Sequence, residues 1–124
     1  ICAHFEATKT TPQDYDLILT GDLGMLGKKI TLELVRRSGY ELEGKIEDCG
    51  CLIFDESQDV HMGGSGCGCS ASVLNSEIYR KLRNGTYKKI LFIATGALLS
   101  LTSSMQGDSV PSIAHAVCIR GENA

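Results

Sequence analysis

Short apolar runs alternate along the chain with longer amphipathic stretches, and each has the length of one structural element. Residues 1–7 read as the tail of an amphipathic helix, and 8–13, which contain Pro12, as a polar connection. Tyr15-Asp16-Leu17-Ile18-Leu19-Thr20 predicts a short buried strand closed by Gly21. A turn, Gly21-Asp22-Leu23-Gly24, follows at its C-terminal end. The next helix is predicted over 26–38, with Leu26, Ile30 and Leu34 on one apolar face. Lys28, Lys29, Arg36 and Arg37 face water, and Gly39 is the C-terminal cap.

Residues 40–48 are polar with little pattern, and Cys51-Leu52-Ile53-Phe54 predicts a second strand. After the acidic stretch 55–59 comes a glycine-rich loop, His61-Met62-Gly63-Gly64-Ser65-Gly66-Cys67-Gly68-Cys69-Ser70. It opens a helix predicted over 70–84, with a core stripe of Leu74, Ile78 and Leu82 and a stop at Asn84-Gly85. Residues 89–94 form a continuous apolar run of the kind seen in strands buried on both faces, ending in Thr95-Gly96-Ala97. A loop rich in Ser, Gly and Pro over 100–112 leads to a last strand over 116–119. Helices alternating with buried strands predict an α/β layered domain across residues 1–124.

Composition narrows the function classes. The chain has 124 residues, 43% hydrophobic and 22% charged, which suits one globular domain and excludes an intrinsically disordered segment. Twelve Lys plus Arg against 15 Asp plus Glu give a net charge of −3, which argues against nucleic acid as a partner. The longest apolar run, 90–101, is broken by Thr95, Gly96 and Ser100 and is shorter than the ~20 residues a bilayer requires. A soluble chain is expected. Its opening at Ile1, inside a helical pattern, points to a piece of something longer.

The loop over 63–70 is the strongest chemical feature. Its glycines let backbone N–H groups approach a ligand, and the following helix directs its positive end at the same place, a geometry suited to carboxylate or phosphate. The spacing fits neither G-x-x-x-x-G-K-[ST] nor G-x-G-x-x-G. Close packing of the helix start against a neighbouring element is the competing explanation.

Two Cys-x-Cys pairs, Cys49/Cys51 and Cys67/Cys69, are a second candidate, as a metal site or as small apolar filler. Zinc sites more often use C-x₂₋₄-C, and one of Cys67 and Cys69 should face the core. A third is a Cys–His nucleophile, with Cys67 or Cys69 acidified at the helix start and His61 or His115 as base. Asp48, Asp55, Glu56 and Asp59 are expected on a solvated face, since their spacing matches no calcium loop.

Four stretches together carry a resemblance: residues 15–24 (YDLILTGDLG), 59–71 (DVHMGGSGCGCSA), 90–100 (ILFIATGALLS) and 106–117 (QGDSVPSIAHAV). Over nearly its whole length the chain resembles the C-terminal part of the stage V sporulation protein AD family, thiolase-fold proteins of spore-forming bacteria. The resemblance implies the C-terminal half of a thiolase-like layered sandwich, without its first strand and N-terminal half. It also implies binding of dipicolinic acid, alone or with calcium, and no other cofactor. Partners would be membrane proteins of the spore channel, and the location cytoplasmic, peripheral to the inner spore membrane.

Aligned with thiolases and ketoacyl synthases, Gly21 stands where synthases carry His. Ser65 stands where synthases carry Asn and thiolases His, and no Cys is present at Ala94-Thr95-Gly96. Those departures imply a binding protein without catalytic residues in this half; the alternatives are an acyl-thioester condensing or thiolase-type enzyme with rearranged residues, or a Cys-x-Cys metal or redox module. The expected pocket wall is Gly64, Ser65, Gly66, Cys67, Gly68, Cys69 and Ser70, with Asp22, His61 and Thr95 as its polar groups. A half-domain exposes the face its other half would cover, so a homo-oligomer is also expected.

Overall fold

The structure is a computed structural model and describes residues 1–94, 96, 101–109 and 113–122. Along the chain run α1 (Cys2–Thr8), β1 (Leu17–Thr20), α2 (Gly24–Arg37), β2 (Ile46–Asp48) and α3 (Cys49–Leu52). Then come α4 (Cys69–Val73), a π-helical turn (Leu74–Ile78), α5 (Tyr79–Arg83), β3 (Lys89–Ile93), α6 (Leu101–Met105) and β4 (Ala116–Arg120). The strands form one mixed sheet in the order β2-β1-β3-β4. β1 is parallel to both β2 and β3, and β4 returns antiparallel along β3.

All four β1 residues are buried, because the sheet is covered on both faces. Ile18, Ile46, Leu91 and Ile93 point to one face, where Phe5, Tyr15, Val35 and Leu42 meet them. Leu17, Leu19 and Ile90 point to the other, against Cys49, Cys69, Val73, Ile78 and Leu82. The α/β layering therefore follows the strand period of two, with α1 and α2 on one side and the 69–83 helix on the other. The seam between β1 and β3 is tied at its start by Asp16, whose carboxylate accepts the N–H groups of Lys88 (2.7 Å) and Lys89 (2.9 Å). Those bonds, Lys89 first, hold the Asp16 carboxyl below its usual range.

Several expectations are corrected. The second strand is Ile46–Asp48, and the stretch expected to be a strand, 51–54, instead begins inside the short helix Cys49–Leu52. The polar-looking 40–48 segment hides two buried anchors, Leu42 and Ile46. Helix α2 exists as expected, but its stripe of Leu26 (57% exposed), Ile30 (50%) and Leu34 (56%) lies open to solvent. The residues α2 buries are Gly24 and Val35, with Leu32 packed against the core. Lys28 turns inward to pair with Glu47 at 2.7 Å.

The long helix is interrupted. Its π turn widens the spiral, so that Val73 and Ile78, five residues apart, share the buried face with Leu82. Leu74 is partly buried beside them. Within the segment expected to be loop over 100–112, Leu101–Met105 forms a turn of helix with Leu101 and Met105 exposed.

Candidate functional site

Register sets the site's position. Thr20 lies opposite Asp48 on one side and Ile93 on the other, so β1, β2 and β3 end at the same level. In open parallel sheets ligands collect beyond such C-terminal strand ends. The segment from Asp59 to Gly68 crosses this end, and its two halves do different work.

Asp48 organises the floor and is completely buried. Its Oδ2 accepts from Thr20 Oγ1 (2.7 Å) and from the Leu23 N–H (2.9 Å). Its Oδ1 accepts from the Gly24 N–H (2.9 Å) and, as the cap of α3, from the Cys51 N–H (3.3 Å). Four donors compensate the loss of water around the charge. The expectation of a solvated Asp48 is overturned. The available sequence signal was its place as an Asp before a helical turn, where a carboxylate caps open N–H groups.

The first half of the glycine stretch is a backbone clasp. The Gly64 N–H donates to the Gly50 carbonyl at 2.7 Å, and the Met25 N–H to the Met62 carbonyl at 2.8 Å. Gly63 has φ +107°, and a side chain there would strike the Gly50 carbonyl. At Gly64 a Cβ would lie 2.6 Å from Ile53 and 2.8 Å from Phe54. For Gly63 and Gly64, close packing is therefore the explanation.

The second half is open. At Gly66 (φ +120°) and Gly68 an added Cβ would meet no atom within 4 Å. Here Asp22, arriving from the end of β1, accepts from Ser65 Oγ at 2.7 Å and from the Gly66 N–H at 3.0 Å, both on Oδ2. A carboxylate thus sits among the donors just before the 69–83 helix. Such a group repels a bare dicarboxylate but offers oxygen to a hard cation or to a ligand's donor. The structure brings together Asp22, Ser65 and Gly66, with Cys67 and Gly68 exposed and Ser70 half-buried on the same segment. His61 stands apart: its ring is 81% exposed, and Nδ1 lies 3.5 Å from Asp59 Oδ1. Thr95 lies outside the described residues.

The cysteines divide by environment. Cys49 and Cys69 are buried in the same core cluster, Cys51 is half-buried, and Cys67 and Cys118 are exposed. Among the described residues, no group of three or more His, Cys, Asp or Glu side chains is gathered to hold a metal. Burial pushes the Cys49 thiol up to about 12, with the negative charge of Asp48 adding to it. Burial, then Asp22 and Asp48, raise Cys69 as well, which corrects the expectation that a helix start would acidify it.

Cys49 therefore holds its proton longer when folded than when unfolded, where a thiol titrates near 9.0. Its contribution to stability is complete below pH 9 and is lost as pH rises from there towards 12. Alkylation at pH 8 is expected to label Cys67 and Cys118 rapidly and Cys49 only after denaturation, read by peptide mass spectrometry. Rapid native labelling of Cys49 would contradict this assignment.

Residues 1–120 match the family model described as Stage V sporulation protein AD (SpoVAD). The chain is also similar to Stage V sporulation protein AD of Bacillus subtilis (strain 168), 46% identical over 114 residues. That alignment covers 92% of this chain and 34% of the relative, so the chain spans about a third of the relative's length. No helix among the described residues is long and apolar enough to cross a membrane.

Proposed function

Since the chain belongs to the stage V sporulation protein AD family, we propose that it serves spore formation as a noncatalytic binding protein for dipicolinic acid, taken as its calcium chelate. The fold in this reading is the C-terminal half of a thiolase-like sandwich. The observation that carries it is the Asp22 carboxylate held by Ser65 and Gly66 beside the open Gly66–Gly68 backbone. Calcium cancels the charge of the dicarboxylate and accepts oxygen ligands, so a chelate can approach a site that the free dianion cannot. The remaining open backbone then lies flat against the ligand.

Loss of chemistry fits the same residues. Thiolases and condensing enzymes place a catalytic His, or His and a hydrogen-bonding Asn, where this chain carries Gly21 and Ser65, neither of which can take the imidazole's part in proton transfer. Ser65 donates its hydroxyl proton to Asp22, and the buried Cys69 thiol is held protonated. In the cell the protein would lie at the cytoplasmic side of the inner spore membrane, beside channel proteins. Copies would pair through the exposed α2 stripe of Leu26, Ile30 and Leu34, and light scattering would return a monomer if that pairing is wrong.

Titration calorimetry tests the ligand. Dipicolinate with calcium should give a saturable heat near one ligand per chain, abolished in Ser65→Trp. Asp22→Asn should weaken the chelate about tenfold, about 1.4 kcal/mol, by removing one oxygen ligand's charge. The same variant should strengthen any binding of metal-free dipicolinate, because a repulsion is gone. Unchanged heats in both variants would place the site elsewhere.

A further inference from the structure

Along the Asp59–Gly63 segment lies a groove of about 580 Å³ that the ligand reading does not use. Its apolar wall is made by Met25, Leu52, Phe54 and Met62, all four substantially exposed large side chains in one place. Its rim is acidic: Asp55, Glu56 and Asp59 line it, and among the described residues no Lys or Arg pairs with any of them. Glu47 also lines it, and the groove's one lysine, Lys28, is already committed to that carboxylate at 2.7 Å. Asp55 caps its own short turn by accepting from Ser57 N–H (2.9 Å) and Oγ (2.6 Å), so the rim is built rather than frayed.

From this juxtaposition we infer that the groove is a docking site for a cationic amphipathic segment of a partner protein. The segment's apolar face fills the wall lined by the two methionines, and its Lys or Arg side chains meet the acidic rim. Methionine side chains adapt to irregular apolar surfaces, and a helix that presents Leu on one face and Lys on the other is the partner that matches both features. Anionic lipid and nucleic acid carry the same sign as the rim and are repelled by it. The inference stands independently of the dipicolinate reading, because no residue of the groove's wall or rim belongs to the Asp22–Ser65–Gly66 cluster.

The test uses the whole chain and a fluorescent synthetic peptide of about 18 residues, Leu on one face and Lys on the other. Anisotropy should show saturable binding. Asp55→Lys/Glu56→Lys should weaken it at least about tenfold, an electrostatic loss that high salt reproduces. Glu41→Lys/Glu43→Lys, an equal charge change outside the groove, should leave it unchanged.

Met62→Glu separates docking from general charge attraction. It adds negative charge but removes part of the apolar wall, so docking predicts weaker binding and mere attraction predicts tighter binding. Tighter binding by Met62→Glu, or equal weakening by the remote pair, would overturn the inference. Stronger binding to phosphatidylglycerol vesicles than to the peptide, lost in Met62→Glu, would also overturn it by making the groove a membrane contact. All these positions are exposed, and matching thermal melts would confirm that each variant is folded.

Discussion

Asp48→Ala is expected to destabilise the fold by about 3–5 kcal/mol, the range for breaking a buried, fully hydrogen-bonded charge network. The substitution leaves Thr20 Oγ1 and the N–H groups of Leu23, Gly24 and Cys51 without the acceptor that satisfies them. Domains of this size are stable by about 5–15 kcal/mol, so the variant would be close to unfolding at room temperature. Urea titration reads the effect as a fall in midpoint with little change in slope. Asp48→Asn keeps one acceptor oxygen but turns its amide towards donors, and should fall between wild type and Ala. An Ala variant within about 1 kcal/mol of wild type would mean the network is dispensable.

Gly50→Ala should be the next most damaging change. The new methyl would collide with the Gly64 carbonyl and stand 2.9 Å from Asp48 Oδ1 and 3.3 Å from Asp22 Cα. Rigid backbone and a buried carboxylate, rather than flexible side-chain ends, receive the clash. A loss of about 2–3 kcal/mol is expected, at the upper end of overpacking costs. Gly68→Ala is the matched control: it has space around it and an ordinary helical φ of −97°, so it should stay within about 0.5 kcal/mol of wild type. Circular dichroism melts on the two variants give the comparison directly. If Gly50→Ala also bound the calcium chelate normally, the clasp would be structural alone.

The runs 17–20 and 90–93 are legible as buried strands because every residue is apolar or, at Thr20, small, and both faces are covered. Ile46–Asp48 is not, because three residues leave no period to count, and two of them are acidic. The cap that Asp48 gives α3 is local, but its other donors, Thr20, Leu23 and Gly24, lie 24 to 28 residues away in sequence, which local pattern cannot supply. Leu26, Ile30 and Leu34 show the reverse problem: a correct apolar helix face that is not the face turned to this core.

At the site, the run Gly63 to Gly68 reads as one loop, and only three-dimensional packing divides it into a clasp and an open half. Asp22 with Ser65 was recoverable as neighbours of the strand ends. Their hydrogen bond was not, because 43 positions separate the two residues. The acidic stretch 55–59 reads as solvated surface, and its meeting with Met25 and Met62 depends on tertiary placement.

The bonds from Asp16 to the N–H groups of Lys88 and Lys89 span 72 and 73 positions, so the central seam of the sheet joins distant parts of the chain. During folding, the β1–α2–β2 crossover and the 69–83 helix can organise early, while closure of that large loop carries the greater entropic cost. Until Lys89–Ile93 arrives, β1 presents four apolar or hydroxyl side chains and an unpaired hydrogen-bonding edge. That interval, rather than any weakness of the finished domain, is when a newly made chain is most prone to strand-to-strand association with its neighbours. Slower synthesis at lower temperature should therefore raise the yield of folded protein more than any stabilising ligand added afterwards.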